Sequence, residues 1–132
     1  MERVVTEKNF EFTGTVESFG TNGEGIVHKG ETVFFAPFTV VGEKVKFKAL
    51  KVKGRIGYAK ALEILTPADE RVRPRCPVFT KCGGCQLQNL DYKEQLAHKE
   101  RTCIRLLGKF CRVEPIIGME NPYHYRNKVQ AA

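Results

Sequence analysis

Three closely spaced cysteines are the residues of this sequence with the clearest chemical potential. Cys76, Cys82 and Cys85 follow the pattern C-x5-C-x2-C, with Gly83 and Gly84 between the last two. Because glycine permits a tight turn, two thiols separated by two residues can face one centre. Thiolates suit zinc or an iron–sulfur cluster, and this spacing does not distinguish the two. The pattern predicts a metal or cluster site, against the alternatives of unligated thiols or a redox pair.

A centre with four protein ligands needs one donor more than these three cysteines supply. Cys103 or Cys111 could complete the set, His98 could do so for zinc, or the fourth ligand could lie outside the chain. Cys103 and Cys111 are otherwise expected to be packed thiols. The odd total of five cysteines argues against a disulfide framework.

A basic segment, residues 44–60, is the second feature with a chemical meaning. It holds seven Lys or Arg residues and no acid, while the rest of residues 1–66 has three basic residues against eight acids. A one-sided lysine row suits a nucleic-acid backbone, because each neutralised phosphate releases a counterion. The alternative is a solvated outer face over a core that contains Phe34 or Phe35. The predicted RNA contacts are Lys44, Lys46, Lys48, Lys51, Lys53, Arg55 and Phe35, with Phe34, Phe38 and Tyr58 as further rings that could stack on unpaired bases.

The composition is that of a folded, cationic protein. The 132 residues are 42% hydrophobic and 28% charged, with 22 Lys+Arg against 15 Asp+Glu, a net charge of +7. This composition excludes a wholly disordered chain, and no apolar run approaches the ~20 residues that span a bilayer. The charged start predicts no signal peptide. We therefore expect a cytoplasmic protein with an anionic partner, with no membrane and no obligate protein partner.

The hydrophobic pattern divides the chain into two units. Alternation predicts five short strands in residues 1–66, the first of them over residues 10–19 and the last over 58–65. Short strands with regular turns and no helix favour a mainly β fold, a small closed OB-like barrel. Residues 67–75 form a charged, proline-bounded linker. Residues 76–132 then contain the cysteine loop, one helix from the Asp91–Glu94 capping box to about Leu107, and the start of an incomplete α+β domain.

Two runs of sequence resemble a known enzyme family. Residues 75–100 (RCPVFTKCGGCQLQNLDYKEQLAHKE) and 121–130 (NPYHYRNKVQ) are similar to the bacterial RNA (uracil-5-)-methyltransferases that modify ribosomal RNA. Residues 23–27, 32–35 and 41–45 resemble the TRAM domain of that family, a small RNA-binding β-barrel. The resemblance implies a TRAM barrel over residues 1–66 and an N-terminal fragment of the longer enzyme.

The same resemblance implies the roles of particular residues. Cys76, Cys82 and Cys85 would ligate a [4Fe–4S] cluster whose fourth cysteine is absent from this chain, and Arg126 and Lys128 would face the RNA substrate. The S-adenosylmethionine site and all catalytic residues belong to a C-terminal domain of the family. No catalytic residue is therefore expected here, and this chain alone should be inactive.

Two other functions fit the residues. One is a free-standing TRAM-type RNA-binding or chaperone module, in which the barrel acts alone. The other is a zinc-stabilised interaction module, in which the three clustered thiols are joined by His98 or Cys103.

Overall fold

The computed structural model describes residues 9–130, and their regular structure is mainly β. Six strands form one sheet in the order β1-β5-β6-β4-β3-β2, and two helices follow them. This confirms the mainly β fold. The elements are β1 (Glu11–Thr15), β2 (Ser18–Phe19), β3 (Gly25–Lys29), β4 (Thr32–Ala36), β5 (Lys44–Lys53), β6 (Ile56–Thr66), α1 (Phe79–Cys82) and α2 (Tyr92–Leu107).

The two edge strands of the sheet, β1 and β2, are consecutive in the chain. Only Val16 and Glu17 separate them, so the sheet must curl until its edges approach each other. The Val16 amide donates to the carbonyl oxygen of Glu43, and the Glu17 amide donates to that of Ile26. Within residues 9–130 the strand ladder ends at β1 and β2, so the sheet is barrel-like but open. The predicted closed barrel is corrected to an open sheet, and its five strands become six because the expected first strand bends at Val16 into two.

The core lies on the concave face of this curled sheet. The ring centroid of Phe12 lies 4.8 Å from that of Phe34 and 5.2 Å from that of Phe47, and all three rings are buried. Phe34 lies over Gly57 of the parallel neighbour β6, where a Cβ atom would come within 2.4 Å of the ring. Glycine at position 57 is therefore required by the packing of Phe34.

The hairpin of β5 and β6 is longer than its alternation predicts. The expected strands stop at Leu50 and resume at Tyr58, whereas the observed strands continue to Lys53 and resume at Ile56. Gly54, with φ of +65°, allows the tight connection. A register shift at Leu50 interrupts the pairing of the hairpin. It also disturbs the alternation of apolar and polar residues, so the second half of β5 is not predicted from the sequence.

The chain forms two compact units, one through Asp91 and one from Tyr92. In the second unit, α2 begins at Tyr92 and ends where the Gly108 amide donates to the carbonyl oxygen of Ile104, as predicted. Residues 109–130 form no helix or strand, so the described residues after α2 contain no regular element of the expected α+β domain. Neither helix in residues 9–130 is long and apolar enough to cross a membrane.

Candidate nucleic-acid interface and cysteine loop

Two aromatic side chains lie side by side on the outer face of the sheet. Phe35 of β4 is in register with Tyr58 of β6, and their ring centroids are 6.2 Å apart. Their chain neighbours Phe34, Gly57 and Ala59 are buried, so Phe35 and Tyr58 face outward. Tyr58 is 51% exposed. The pair therefore forms an accessible aromatic surface that is not buried in the core.

Lysines of β5 border this aromatic pair. Lys51 is the register partner of Tyr58, and Lys53 is the partner of Ile56. Both lysines are exposed, and Val52 between them packs against the core, so they extend from the outer face. An exposed aromatic surface beside cations is the arrangement with which proteins bind single-stranded nucleic acid.

Lys46 and Lys48 of β5 have acidic neighbours on adjacent strands. Lys46 Nζ lies 3.3 Å from Glu11 Oε2, and Lys46 is also in register with Glu63. Glu11 is in turn the register partner of Lys48. The stretch without acids in the sequence is therefore partly neutralised across the sheet, whereas Lys51 and Lys53 are in register with the uncharged Tyr58 and Ile56.

Two of the four predicted stacking rings are engaged inside the protein. Phe34 is 1% exposed in the core. Phe38 packs edge-to-face against Phe79 of α1, with ring centroids 5.0 Å apart. Phe35 and Tyr58 are the two that the structure brings together on the surface. The alternation of β4, in which Phe34 and Ala36 share the inner face, is the signal that separates Phe34 from Phe35.

A buried carboxylate holds the segment that follows the sheet. Glu43 is fully buried and accepts hydrogen bonds from Arg71 Nε at 2.6 Å and Arg71 Nη2 at 2.8 Å. The backbone amides of Val40 and Ala68 donate to the same carboxylate at 2.7 and 3.2 Å. These four donors replace the water that the charge loses on burial. Part of the segment expected as a linker, residues 67–75, is thereby attached to the sheet.

The cysteine loop is attached at the same place. Phe38 has φ of +64°, and its carbonyl oxygen accepts hydrogen bonds from Arg71 Nη2 at 2.7 Å and Asn89 Nδ2 at 3.0 Å. A left-handed backbone conformation is energetically unfavourable for a bulky residue, and these hydrogen bonds stabilise it at Phe38. The amide of Val72 also donates to the carbonyl oxygen of Asn89 at 2.8 Å. Both ends of the cysteine loop are thus fixed to the sheet.

One glutamine bridges two of the three clustered cysteines. The Cys76 amide donates to Gln88 Oε1, and Gln88 Nε2 donates to Cys85 Sγ, each at 3.3 Å. Cys82 is exposed at the end of α1, which stops at Gly83 in a left-handed conformation. Within residues 9–130 no group of three metal-ligating side chains is assembled. The sulfur donors nevertheless suit a soft metal centre, and the hydrogen bond to Cys85 Sγ is typical of the groups that surround one.

The remaining predicted residues lie in the second unit. Cys103 and Cys111 are exposed rather than packed, which corrects that expectation: α2, which carries Cys103, buries no side chain completely, and Cys111 lies in irregular chain beyond it. Arg126 and Lys128 are exposed in irregular chain. Partial burial lowers the pKa of His98, and the nearby charges of Arg101 and Lys99 lower it further.

Comparisons with known proteins point to an RNA-modifying enzyme family. An uncharacterized RNA methyltransferase of Clostridium tetani is 42% identical over 131 aligned positions, and the match covers 96% of this chain and 28% of that protein. One from Clostridium acetobutylicum is 40% identical, over 98% of this chain and 30% of that protein. By sequence, the chain is similar to part of these RNA methyltransferases. It spans less than a third of their length.

Further comparisons add two findings. No protein-family model matches the chain. Among solved structures, a conserved protein of Methanococcus maripaludis is 28% identical, with a TM-score of 0.43, over 48% of this chain and 90% of that protein.

Proposed function

We propose that this chain is the RNA-binding region of an S-adenosylmethionine-dependent RNA (uracil-5-)-methyltransferase that acts on ribosomal RNA in the cytoplasm. The observation that carries the proposal is the row formed by Phe35, Tyr58 and Lys51 across three strands. Unpaired bases stack on such rings, and their phosphates bind the adjacent cations. The relatives named RNA methyltransferases support RNA as the ligand.

On this proposal the chain supplies binding and orientation, and methyl transfer takes place in another part of the longer enzyme. Holding the RNA on a rigid sheet reduces the entropic cost of presenting one uridine for reaction. The outer face is suited to this task because Phe35 and Tyr58 stand on hydrogen-bonded strands. The isolated chain should therefore bind RNA without methylating it.

The cysteine loop is proposed to hold a [4Fe–4S] cluster through Cys76, Cys82 and Cys85, with the fourth ligand supplied from outside this chain. Three thiolates fit the donor chemistry of such a cluster, and Gln88 is placed to orient two of them. When bound, the cluster would supply cross-linking of the loop, because uracil methylation of this kind requires no electron transfer.

Titration of the 132-residue chain against a fluorescently labelled single-stranded RNA tests the proposed function. Affinity should fall as salt is raised from about 50 to about 200 mM, because phosphate binding releases counterions. A duplex RNA of the same length should bind more weakly, because its bases are not free to stack. Absence of RNA binding at low salt, or binding that does not depend on salt, would contradict the proposal.

A further inference from the structure

A groove beside the cysteine loop combines arginine side chains with an apolar wall. It has a volume of about 520 Å³ and is lined by residues 73–77 together with Phe79 and Thr80. Phe79 is buried and is one of its apolar lining residues. Arg73, Arg75 and Thr80 are exposed and supply its polar groups. Nothing in the sequence pattern singles out this groove, because its residues come from a presumed linker and a cysteine loop.

The charged residues that line the groove, Arg73 and Arg75, are both positive. Residues 71–90 contain four basic residues and no acid. The charge of Arg71 is compensated by the buried Glu43 carboxylate. Arg73 forms no ion pair within residues 9–130. The groove therefore favours an anion, and its arginines present the planar donor pattern that matches phosphate.

The backbone that carries these arginines is anchored on both sides. On the N-terminal side the Val72 amide donates to the carbonyl oxygen of Asn89 at 2.8 Å, and on the C-terminal side the Cys76 amide donates to Gln88 Oε1 at 3.3 Å. Pro74 and Pro77 restrict the backbone further. An arginine on a fixed backbone loses less freedom on binding than one on a flexible linker. The groove is in this sense preorganised.

We propose that this groove is a second RNA contact, which binds a phosphodiester of an unpaired RNA strand. Arg73 and Arg75 bind the phosphate, the Thr80 hydroxyl donates a hydrogen bond to it, and the adjoining ribose lies against Pro74 and Pro77. The inference rests on the proposed function, because RNA is the ligand. It adds to the outer face of the sheet a site on the segment between the sheet and α2.

Charge-matched variants of the full 132-residue chain test the groove. R73Q/R75Q removes two positive charges from the groove, and R101Q/R105Q removes two from exposed positions of α2. For a single-stranded RNA, the slope of log affinity against log salt should become shallower by about 1.4 in R73Q/R75Q, at about 0.7 for each lost phosphate contact. R101Q/R105Q should retain the wild-type slope.

A second measurement reports on the groove directly. Cys76 lines the groove, whereas Cys103 and Cys111 lie in the second unit. In the reduced, metal-free wild-type chain, single-stranded RNA should slow alkylation of Cys76, and in R73Q/R75Q this protection should be lost. Site-resolved mass spectrometry measures each thiol separately. Circular dichroism and urea unfolding of R73Q/R75Q should match the wild type, because both arginines are exposed.

The outcomes separate the two proposals. If the wild-type chain binds no RNA, the proposed function fails and the groove proposal fails with it. If the wild type binds RNA but R73Q/R75Q retains its salt slope and its Cys76 protection, the groove proposal alone is overturned. Equal loss of slope in R73Q/R75Q and R101Q/R105Q, without loss of Cys76 protection, would also overturn it, because net charge would then explain the effect.

Discussion

The guanidinium group of Arg71 meets the fully buried carboxylate of Glu43 through two hydrogen bonds, at 2.6 and 2.8 Å. The two residues are 28 positions apart, and their contact joins the sheet to the segment that leads into the cysteine loop. Arg71 also binds the carbonyl oxygen of Phe38, whose ring contacts Phe79 of the loop. The sheet and the cysteine loop therefore share one polar junction.

Loss of Arg71 should destabilise the chain strongly. Arg71→Ala leaves the Glu43 carboxylate buried with two backbone donors, and breaking a buried ion pair in this way costs about 3–5 kcal/mol of unfolding free energy. Urea unfolding followed by circular dichroism measures the change. Arg73→Ala is the matched control, two residues away at an exposed position, and should stay within about 0.5 kcal/mol of the wild type. Equal stability of the two variants would mean that the junction contributes little.

The sequence predicts much of the sheet and little of this junction. Alternation places Val45 and Phe47 inside and Lys44 and Lys46 outside, as the structure has them. It cannot place Glu43 against Arg71, because a buried ion pair between distant residues leaves no periodic signal. The acids beside the lysines are hidden for the same reason, since Glu11 reaches Lys46 only through the pairing of β1 with β5.

The contacts within the cysteine loop are likewise not predictable from sequence patterns. The spacing of Cys76, Cys82 and Cys85 predicts a shared centre, and that remains a prediction. The contact of Gln88 with both Cys76 and Cys85 depends on the path of the loop. That path is set by attachment to the sheet through Asn89 and Arg71, which no local pattern encodes.

Removing one ring of the aromatic pair should weaken binding of single-stranded RNA. Stacking on an aromatic ring is worth about 1–3 kcal/mol per base, so Tyr58→Ala should raise the Kd by about 5- to 150-fold. Tyr58→Phe keeps the ring and should bind nearly as the wild type does. Fluorescence anisotropy measures the Kd. Leu62→Ala, at an exposed apolar position of the same strand, serves as the control, and an equal loss there would argue against stacking.

The two ends of the lysine row should differ in their contribution to RNA binding. Lys51→Ala/Lys53→Ala removes two charges beside the aromatic pair and should reduce the salt slope by about 1.4, at about 0.7 for each phosphate contact. Lys44→Ala/Lys46→Ala removes the same charge, but Lys46 is already paired with Glu11, so its effect should be smaller. Salt titrations of both variants measure the difference. A larger effect at Lys44 and Lys46 would place the RNA at the opposite end of β5.

The titration of His98 should make stability depend on pH. Burial lowers its pKa from the ordinary 6.5, and the charges of Arg101 and Lys99 act in the same direction. The unfolded state then binds more protons than the folded state between the two pKa values, so stability falls as pH drops from about 6.5 through the folded pKa. NMR titration of the imidazole should give a midpoint below 6.5. His98→Gln should flatten this part of the stability profile, and an unchanged profile would contradict the assignment.

Gln88 should control the assembly of a metal centre at the cysteine loop. Gln88→Ala removes both the acceptor for the Cys76 amide and the donor to Cys85 Sγ. Loss of such an outer contact typically lowers metal affinity about 10- to 100-fold. Titration of the reduced, metal-free chain with cobalt(II), followed by thiolate-to-metal absorption, measures the affinity. Gln86→Ala, at an exposed position in the same loop, should retain the wild-type value.

The same measurements distinguish a wrong role for Gln88 from a wrong assignment of the metal centre. If the wild type binds cobalt and Gln88→Ala binds it equally well, Gln88 does not organise the thiols. If the wild type binds neither cobalt nor iron, the three thiols do not form a metal centre without a fourth ligand from outside the chain. Anaerobic reconstitution with iron and sulfide then distinguishes the two metals: broad absorption near ~400 nm indicates an iron–sulfur cluster. A colourless protein that retains one zinc ion would instead favour the zinc-stabilised module, because the same sulfur donors suit zinc.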